Sequence, residues 1–311
     1  MDPPVPPSTA FEYDFARYVA ERKGEAAARL REGAAYAYGG DLKVRAALDR
    51  VRPVTLALEA GVRFWHSVGK NRVLGNAVRV GAKQFPEIAE LLASCAGTLQ
   101  IEPPALYVSP ALQPLEAETL GTSDKEAIEL GSGLGTSLSR DEMLAVIGHA
   151  CGHIQNNHVP YLTALYVLDK ASNLVLRWAA QPAVLGLRGW ARRAEITCDR
   201  ASLLCARKLD ATISAMLKRA LGPAFVASVD LEQYLAQLDE APDGRGQWTE
   251  AFAAHPALPR RIKALRLFAG TTYFRSVLGE GAAEAGSGGA GPGISKEECD
   301  AQVAELLAVL G

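Results

Sequence analysis

His149 and His153 stand four residues apart in a stretch whose start as a helix is written into the residues before it. Ser139 and Glu142 have the spacing of a capping box, the hydroxyl serving an orphan amide while the glutamate reaches back. Leu138 and Met143 take the positions of the hydrophobic staple. The apolar pattern then predicts a helix through both histidines to about His158, stopping before Pro160. An i, i+4 pair shares one helix face, so both imidazoles can reach one ion. Such an ion constrains the rest of the fold, because zinc needs a third protein ligand and an open fourth position. The candidate source is Ala194 to Arg200, on a helix expected from about Arg188 to Leu209, where Glu195 and Asp199 are again four apart. One carboxylate would ligate, and the other could accept the second N–H of an imidazole.

Around these helices the chain reads as α+β and mostly helical. Residues 1–11 form a Pro-rich arm, and 12–92 a helical region broken at Gly39-Gly40, Pro53 and Pro86. Within a core of residues 93–275, Ala105 to Val108, a segment ending at Leu120-Gly121, and Ala127 to Leu130 read as three short strands of a small sheet. Asp210 is the expected cap of a helix ending near Gly222. Residues 276–296 are a Gly/Ala-rich linker, and 297–311 a C-terminal helix. That helix could dock near the cleft as an inhibitor, serve oligomerisation or be an inert tail. Nothing in the sequence fixes an oligomeric state.

A formal net charge of −2 leaves no electrostatic footprint for nucleic acid. Cys95, Cys151, Cys198, Cys205 and Cys299 are odd in number and scattered, without a Cys-x-x-Cys pair, which argues against a disulfide framework. The first residues lack the basic and apolar regions of a signal peptide. Together these point to a reducing compartment, the cytoplasm. Tyr161 to Leu187 is rather apolar, but Asp169, Lys170, Arg177 and Pro182 interrupt it. A spanning helix needs about 20 largely apolar residues, so the segment reads as a buried helical hairpin.

The order of these pieces resembles the gluzincin metallopeptidases related to HtpX and to the CAAX prenyl protease. The matching residues are Gly148 to His153, then Glu195 to Asp199 after a hydrophobic insertion, then His255-Pro256 with Arg261. Upstream, Leu106 to Val108 and Glu129 to Leu134 extend the match, which covers roughly residues 70 to 270. The resemblance implies a zincin-like metallopeptidase domain with one zinc held by His149, His153 and Glu195. Asp199 would support a ligand. His255 would stabilise the oxyanion, with Arg261 close by. The implied activity is endopeptidase hydrolysis of unfolded or extended polypeptide, the substrate adding to an edge of the strand before the metal helix. The insertion spans the membrane in many relatives. Here it is charged, which implies a soluble chain or peripheral membrane contact.

One position departs from that family. After the first histidine, where the general-base glutamate belongs, stands Ala150. General acid–base catalysis contributes about 10²–10⁴-fold, and a methyl group cannot supply it. Cys151 points about 100° away around the helix and is a poor substitute. Zinc binding should survive and turnover collapse. A deliberate Glu-to-Ala exchange and a natural pseudo-peptidase acting as a regulatory scaffold both fit, and the intactness of the remaining set favours the exchange. A metal-free helical interaction module is the third possibility.

Plainer readings stand beside these roles. His255 is equally compatible with capping or packing, Arg261 with an ordinary salt bridge, and Asp199 with an ion pair to Arg200 or Arg261. Five residues past His153, His158 falls about 140° around the helix and is not expected to ligate. His66 has no assigned role, and Trp190, Cys198 and Cys205 read as packing residues.

Overall fold

The computed structural model describes residues 34–122, 125–170, 174–240, 255–279 and 293–307. The Pro-rich arm, residues 12–33, residues 280–292 of the linker and the tip 308–311 lie outside them. Gly39 and Gly40 open α1 (Gly39–Leu48), and Pro53 sits in the first turn of α2 (Arg52–Phe64), where its missing N–H is no loss. α2 passes through a π-helical turn at Trp65–Gly69 into α3 (Lys70–Asn76).

The sheet comprises β1 (Val78–Arg79), β2 (Ala105–Ser109), β3 (Ala117–Thr122) and β4 (Lys125–Gly131), with α4 (Pro86–Leu99) between β1 and β2. Its order is β1-β2-β4-β3. β4 pairs parallel with β2, Leu106 opposite Ile128, and antiparallel with β3, Ala117 opposite Leu130. This corrects one expectation. The strand before the metal helix is interior, and the edge on that side is β3, because the chain reverses directly from β3 into β4 and leaves β3 outermost. Leu106, Ile128 and Leu130 are fully buried, which is why β4 lacks the alternation of a half-exposed strand.

α5 (Arg140–Gln155) begins with the capping box in place. Glu142 N–H donates to Ser139 Oγ at 3.4 Å, and Ser139 N–H donates to Glu142 Oε2 at 2.6 Å. The helix ends three residues earlier than expected. Asn157 takes the left-handed conformation (φ 55°), one that asparagine tolerates, and Pro160 belongs to the first turn of α6 (Val159–Lys170).

α7 runs unbroken from Leu174 to Ala206, through Pro182, rather than starting near Arg188, and stops where Arg207 turns left-handed (φ 56°). α6 and α7 pack together as the expected hairpin. Tyr161, Leu165, Val184, Leu187 and Trp190 form one core with Leu48 and Val54 of the N-terminal helices. Among the described residues no helix is long and apolar enough to cross a membrane.

In α8 (Leu209–Leu221) Lys208 takes the cap position and Asp210 falls in the first turn, where its charge suits the helix dipole. Beyond it come α9 (Leu231–Glu240), α10 (Leu258–Ala269), α11 (Thr272–Leu278) and α12 (Lys296–Leu307). α12 packs on α10 and α1, with Cys299 and Val303 fully buried and Asp300 paired with Arg200 at 2.7 Å.

Candidate metal centre

The site depends on how closely α5 and α7 approach. Two glycines on α5 make the contact possible. A Cβ at Gly148 would stand 2.6 Å from Cys205 Cβ, and one at Gly152 would stand 2.6 Å from Ala201 Cβ. Each precedes one of the paired histidines. Ser202 adds a hydrogen bond across the seam, its hydroxyl donating to the Ala145 carbonyl at 2.7 Å.

At this spacing Glu195 of α7 reaches between the histidines of α5. His149 Nε2 and His153 Nε2 are 3.2 Å apart, and each lies near one oxygen of Glu195, at 3.5 Å and 3.6 Å. Ligand bonds of 2.0–2.1 Å in a tetrahedral zinc site put donor atoms about 3.4 Å from one another. The three residues therefore fit zinc. Asp199 stands one turn further along, its Oδ1 3.2 Å from His149 Nδ1. Cys198 also lies within 4.8 Å of the imidazole nitrogens. Burial, with Glu195 and Asp41 nearby, pushes its thiol well above the usual range, so it remains a poor donor beside an ionised carboxylate.

Arg261 of α10 gathers the carboxylates. Its Nη1 is 2.9 Å from Glu195 Oε2, and its Nη2 and Nε are 2.6 Å and 2.8 Å from Asp199. Of the competing partners for Asp199, Arg261 is the one in contact, while Arg200 is turned to Asp300. His255 Nδ1 is 3.3 Å from Glu195 Oε1, with its side chain 65% exposed at the cleft.

The electrostatics follow from this network. Burial works against Glu195 and Asp199, but Arg261 holds both below the usual carboxylate range. The same carboxylates raise Arg261 despite its burial. Burial brings His149 down to about 4 against the pull of Glu195 and Asp199, which leaves its ring neutral and able to donate a lone pair. His255 is raised, chiefly by the charge of Glu195.

The centre opens into a cleft of about 460 Å³. Residues 116–120 of β3 and its approach form one rim, Leu162 and Tyr166 of α6 and Met216 and Arg219 of α8 further walls, and His255 and Arg261 part of the lining. Ala150 lies on the floor, 3% exposed. No described residue of α12 contributes to the lining.

Sequence reasoning missed His158 and Asp41. His158 is not on the metal helix, so its angle around that helix does not apply. The turn at Asn156-Asn157 folds it back until its Nδ1 lies 3.2 Å from His153 Nδ1 and its Nε2 lies 3.0 Å from Asp41 Oδ2. The available signal was the paired asparagines before Pro160, a helix stop with a left-handed residue. Asp41 carried none. Burial pushes His158 below its ordinary value against the pull of Asp41.

Comparison with known proteins agrees with this geometry. The model of Peptidase family M48 matches residues 82–269. The chain is 32% identical over 169 residues to a protein named Plastoglobule-localized metallopeptidase 48, chloroplastic, of Arabidopsis thaliana, covering 53% of this chain and 49% of that protein. It is 24% identical over 246 residues to a Protease HtpX homolog of Moorella thermoacetica, covering 68% of this chain and 82% of that one. This chain thus spans about half the length of the plastoglobule protein. No solved structure matches it. With the family match extending over more than half of its 311 residues, and the histidine pair and Glu195 inside it, the chain belongs to peptidase family M48, the zinc metallopeptidases related to HtpX.

Proposed function

We propose that this chain holds one zinc ion through His149, His153 and Glu195 beside an extended polypeptide bound along β3, and that Ala150 leaves it unable to turn that polypeptide over at a family rate. The observation that carries the reading is the cluster of donor atoms, His149 Nε2 and His153 Nε2 3.2 Å apart and 3.5 and 3.6 Å from the two oxygens of Glu195, opening into a cleft rimmed by a sheet edge. Zinc, when bound, polarises a scissile carbonyl and acidifies a water molecule.

Each remaining group has a role its contacts support. Asp199 accepts from His149 Nδ1 and fixes that ring. Arg261 keeps both carboxylates ionised. His255 stands at the mouth, positioned to stabilise charge developing on a carbonyl oxygen. In the antiparallel pair of β3 with β4 alternate residues face outward, and the bonding of Gly131 N–H to the Glu116 carbonyl sets the parity. Ala117 and Thr119 therefore direct their amides and carbonyls to the outer edge, ready for an added strand. At Gly121 that edge is closed, because Thr163 Oγ1 accepts from its N–H at 3.1 Å and donates to its carbonyl at 2.9 Å.

The methyl group of Ala150 can neither take a proton from water nor deliver one to a leaving amine, so the step forfeits about 10²–10⁴-fold. The same observation favours a second reading, a natural pseudo-peptidase serving as a zinc-containing peptide-binding or regulatory scaffold. Five free, buried cysteines support a reducing compartment such as the cytoplasm.

Binding of a labelled unfolded peptide to the zinc-loaded chain tests the edge-strand reading. Thr119→Pro, which removes an outward amide, should weaken binding by up to about tenfold, the loss of one charge-free hydrogen bond at full net value, and leave zinc content unchanged. Equal binding by both chains would remove β3 as the docking edge.

A further inference from the structure

The described structure ties one ligand to a helix outside the family match. His158 is fully buried; its Nδ1 lies 3.2 Å from His153 Nδ1, and its Nε2 lies 3.0 Å from Asp41 Oδ2, a close ion-pair approach rather than an aligned hydrogen bond. Cys198 Sγ, a weak donor, lies 3.6 Å from the same Nδ1. Asp41 belongs to α1, ahead of residues 82–269, and is itself fully buried. Its carboxylate is held rigidly: the Trp190 indole N–H donates to Oδ1 at 2.8 Å, and the Thr197 hydroxyl donates to Oδ2 at 2.7 Å. Both donors sit on α7, Thr197 two residues from Glu195. The segment is anchored at further points. Arg45 donates to the Asn156 carbonyl, and Tyr38 N–H donates to Thr197 Oγ1 at 3.2 Å.

This chain of contacts has a direction. A carboxylate has no proton to give, so the nitrogen of His158 that faces Asp41 must carry one. In the neutral ring His158 Nδ1 is then a lone pair, able only to accept. His153 Nδ1 must accordingly be the donor, which leaves the lone pair of His153 on Nε2, the nitrogen facing His149 and Glu195. Reversing the chain would put the proton on that Nε2 and set a His158 lone pair against a carboxylate.

We propose, resting on the zinc reading above, that Asp41 and His158 are positioning residues that set the tautomer and orientation of His153, so that α1 is part of the metal centre. Partners of this kind contribute about 10–100-fold to metal affinity.

The test uses the full chain, with zinc affinity read by competition against a chromophoric chelator and the fold of each metal-free form by circular dichroism. Asp41→Asn preserves volume but turns an N–H toward His158, and should weaken zinc about 10–100-fold. His158→Leu, which removes the acceptor, should do the same. His158→Gln can accept from His153 and donate to Asp41 through one amide, and should stay within about threefold, a small part of what such partners contribute. Long-range proton–nitrogen NMR of the unmodified zinc-loaded chain should find His158 protonated at Nε2, a readout that a merely structural role does not fix and that stands if a variant fails to fold. Unchanged zinc affinity in Asp41→Asn and His158→Leu, equal losses in His158→Gln and His158→Leu, or a His158 proton on Nδ1 would each overturn the proposal. An unmodified chain that takes up no zinc would instead overturn the zinc reading and this proposal with it.

Discussion

Arg261 and Asp199 form a two-pronged ion pair, Nε to Oδ2 at 2.8 Å and Nη2 to Oδ1 at 2.6 Å, beneath the site where Glu195 meets the two histidines. The remaining guanidinium nitrogen lies 2.9 Å from Glu195. One guanidinium thus pairs with two buried carboxylates that share a helix face. Removing one partner of such a group costs about 3–5 kcal/mol, because charge is left uncompensated. Arg261→Met should therefore lower the melting temperature of the metal-free chain sharply, and added zinc should restore much of it by replacing the lost positive charge. Parallel melts with and without zinc check this, and an unchanged metal-free melting temperature would speak against it.

Glu195 and Cys198 compete on paper for the third ligand position. Zinc content after gel filtration separates them. Cys198→Ser should retain one zinc per chain, while Glu195→Gln should lose more than the about 10–100-fold in affinity that an outer hydrogen-bond partner supplies.

How much of this was open to sequence reasoning depended on whether the signal was local. The capping box, the histidine pair and the Glu195–Asp199 pair are periodic on single helices, and the structure brings them together. The strands near residues 105, 120 and 128 were legible from composition. Which one forms an edge was not, because pairing order depends on how β3 turns back along β4. The helix stop at Gln155 turns on the conformation of Asn157, and it misplaced His158. Asp41 was invisible for a different reason: its partners Trp190, Thr197 and His158 are all more than a hundred residues away.

Glycine carries different weight at two helical positions. At Gly152 a Cβ would meet Ala201 and Cys198, so Gly152→Ala should cost about 1–3 kcal/mol by overpacking and weaken zinc as α7 is pushed away. At Gly97, in the last turn of α4, a Cβ meets nothing within 4 Å. Gly97→Ala should stabilise by up to about 1 kcal/mol through helix propensity. Urea unfolding of both variants checks the pair, and the same sign for both would contradict the packing argument.

Glu142 sets part of the acid limit. Burial works against its charge, but Lys218, Ser214 and the cap at Ser139 hold its carboxyl down at about 2. A depressed folded-state value means stability that is present above the unfolded value near 4.5 and lost as pH falls toward 2. Glu142→Gln should be less stable at pH 7 by about 1–3 kcal/mol, and the gap should close between pH 4.5 and 2. Urea midpoints across that range check it, and a gap independent of pH would contradict the assignment.

Digestion of casein by the Ala150→Glu chain and the unmodified chain, each with and without a zinc chelator, tests whether the methyl group of Ala150 is what silences this site. The expected result is chelator-sensitive cutting by the glutamate form, at least about 10²-fold faster than by the unmodified chain. Equal rates from the two forms would contradict it, as would an Ala150→Glu chain that holds its zinc and cuts nothing.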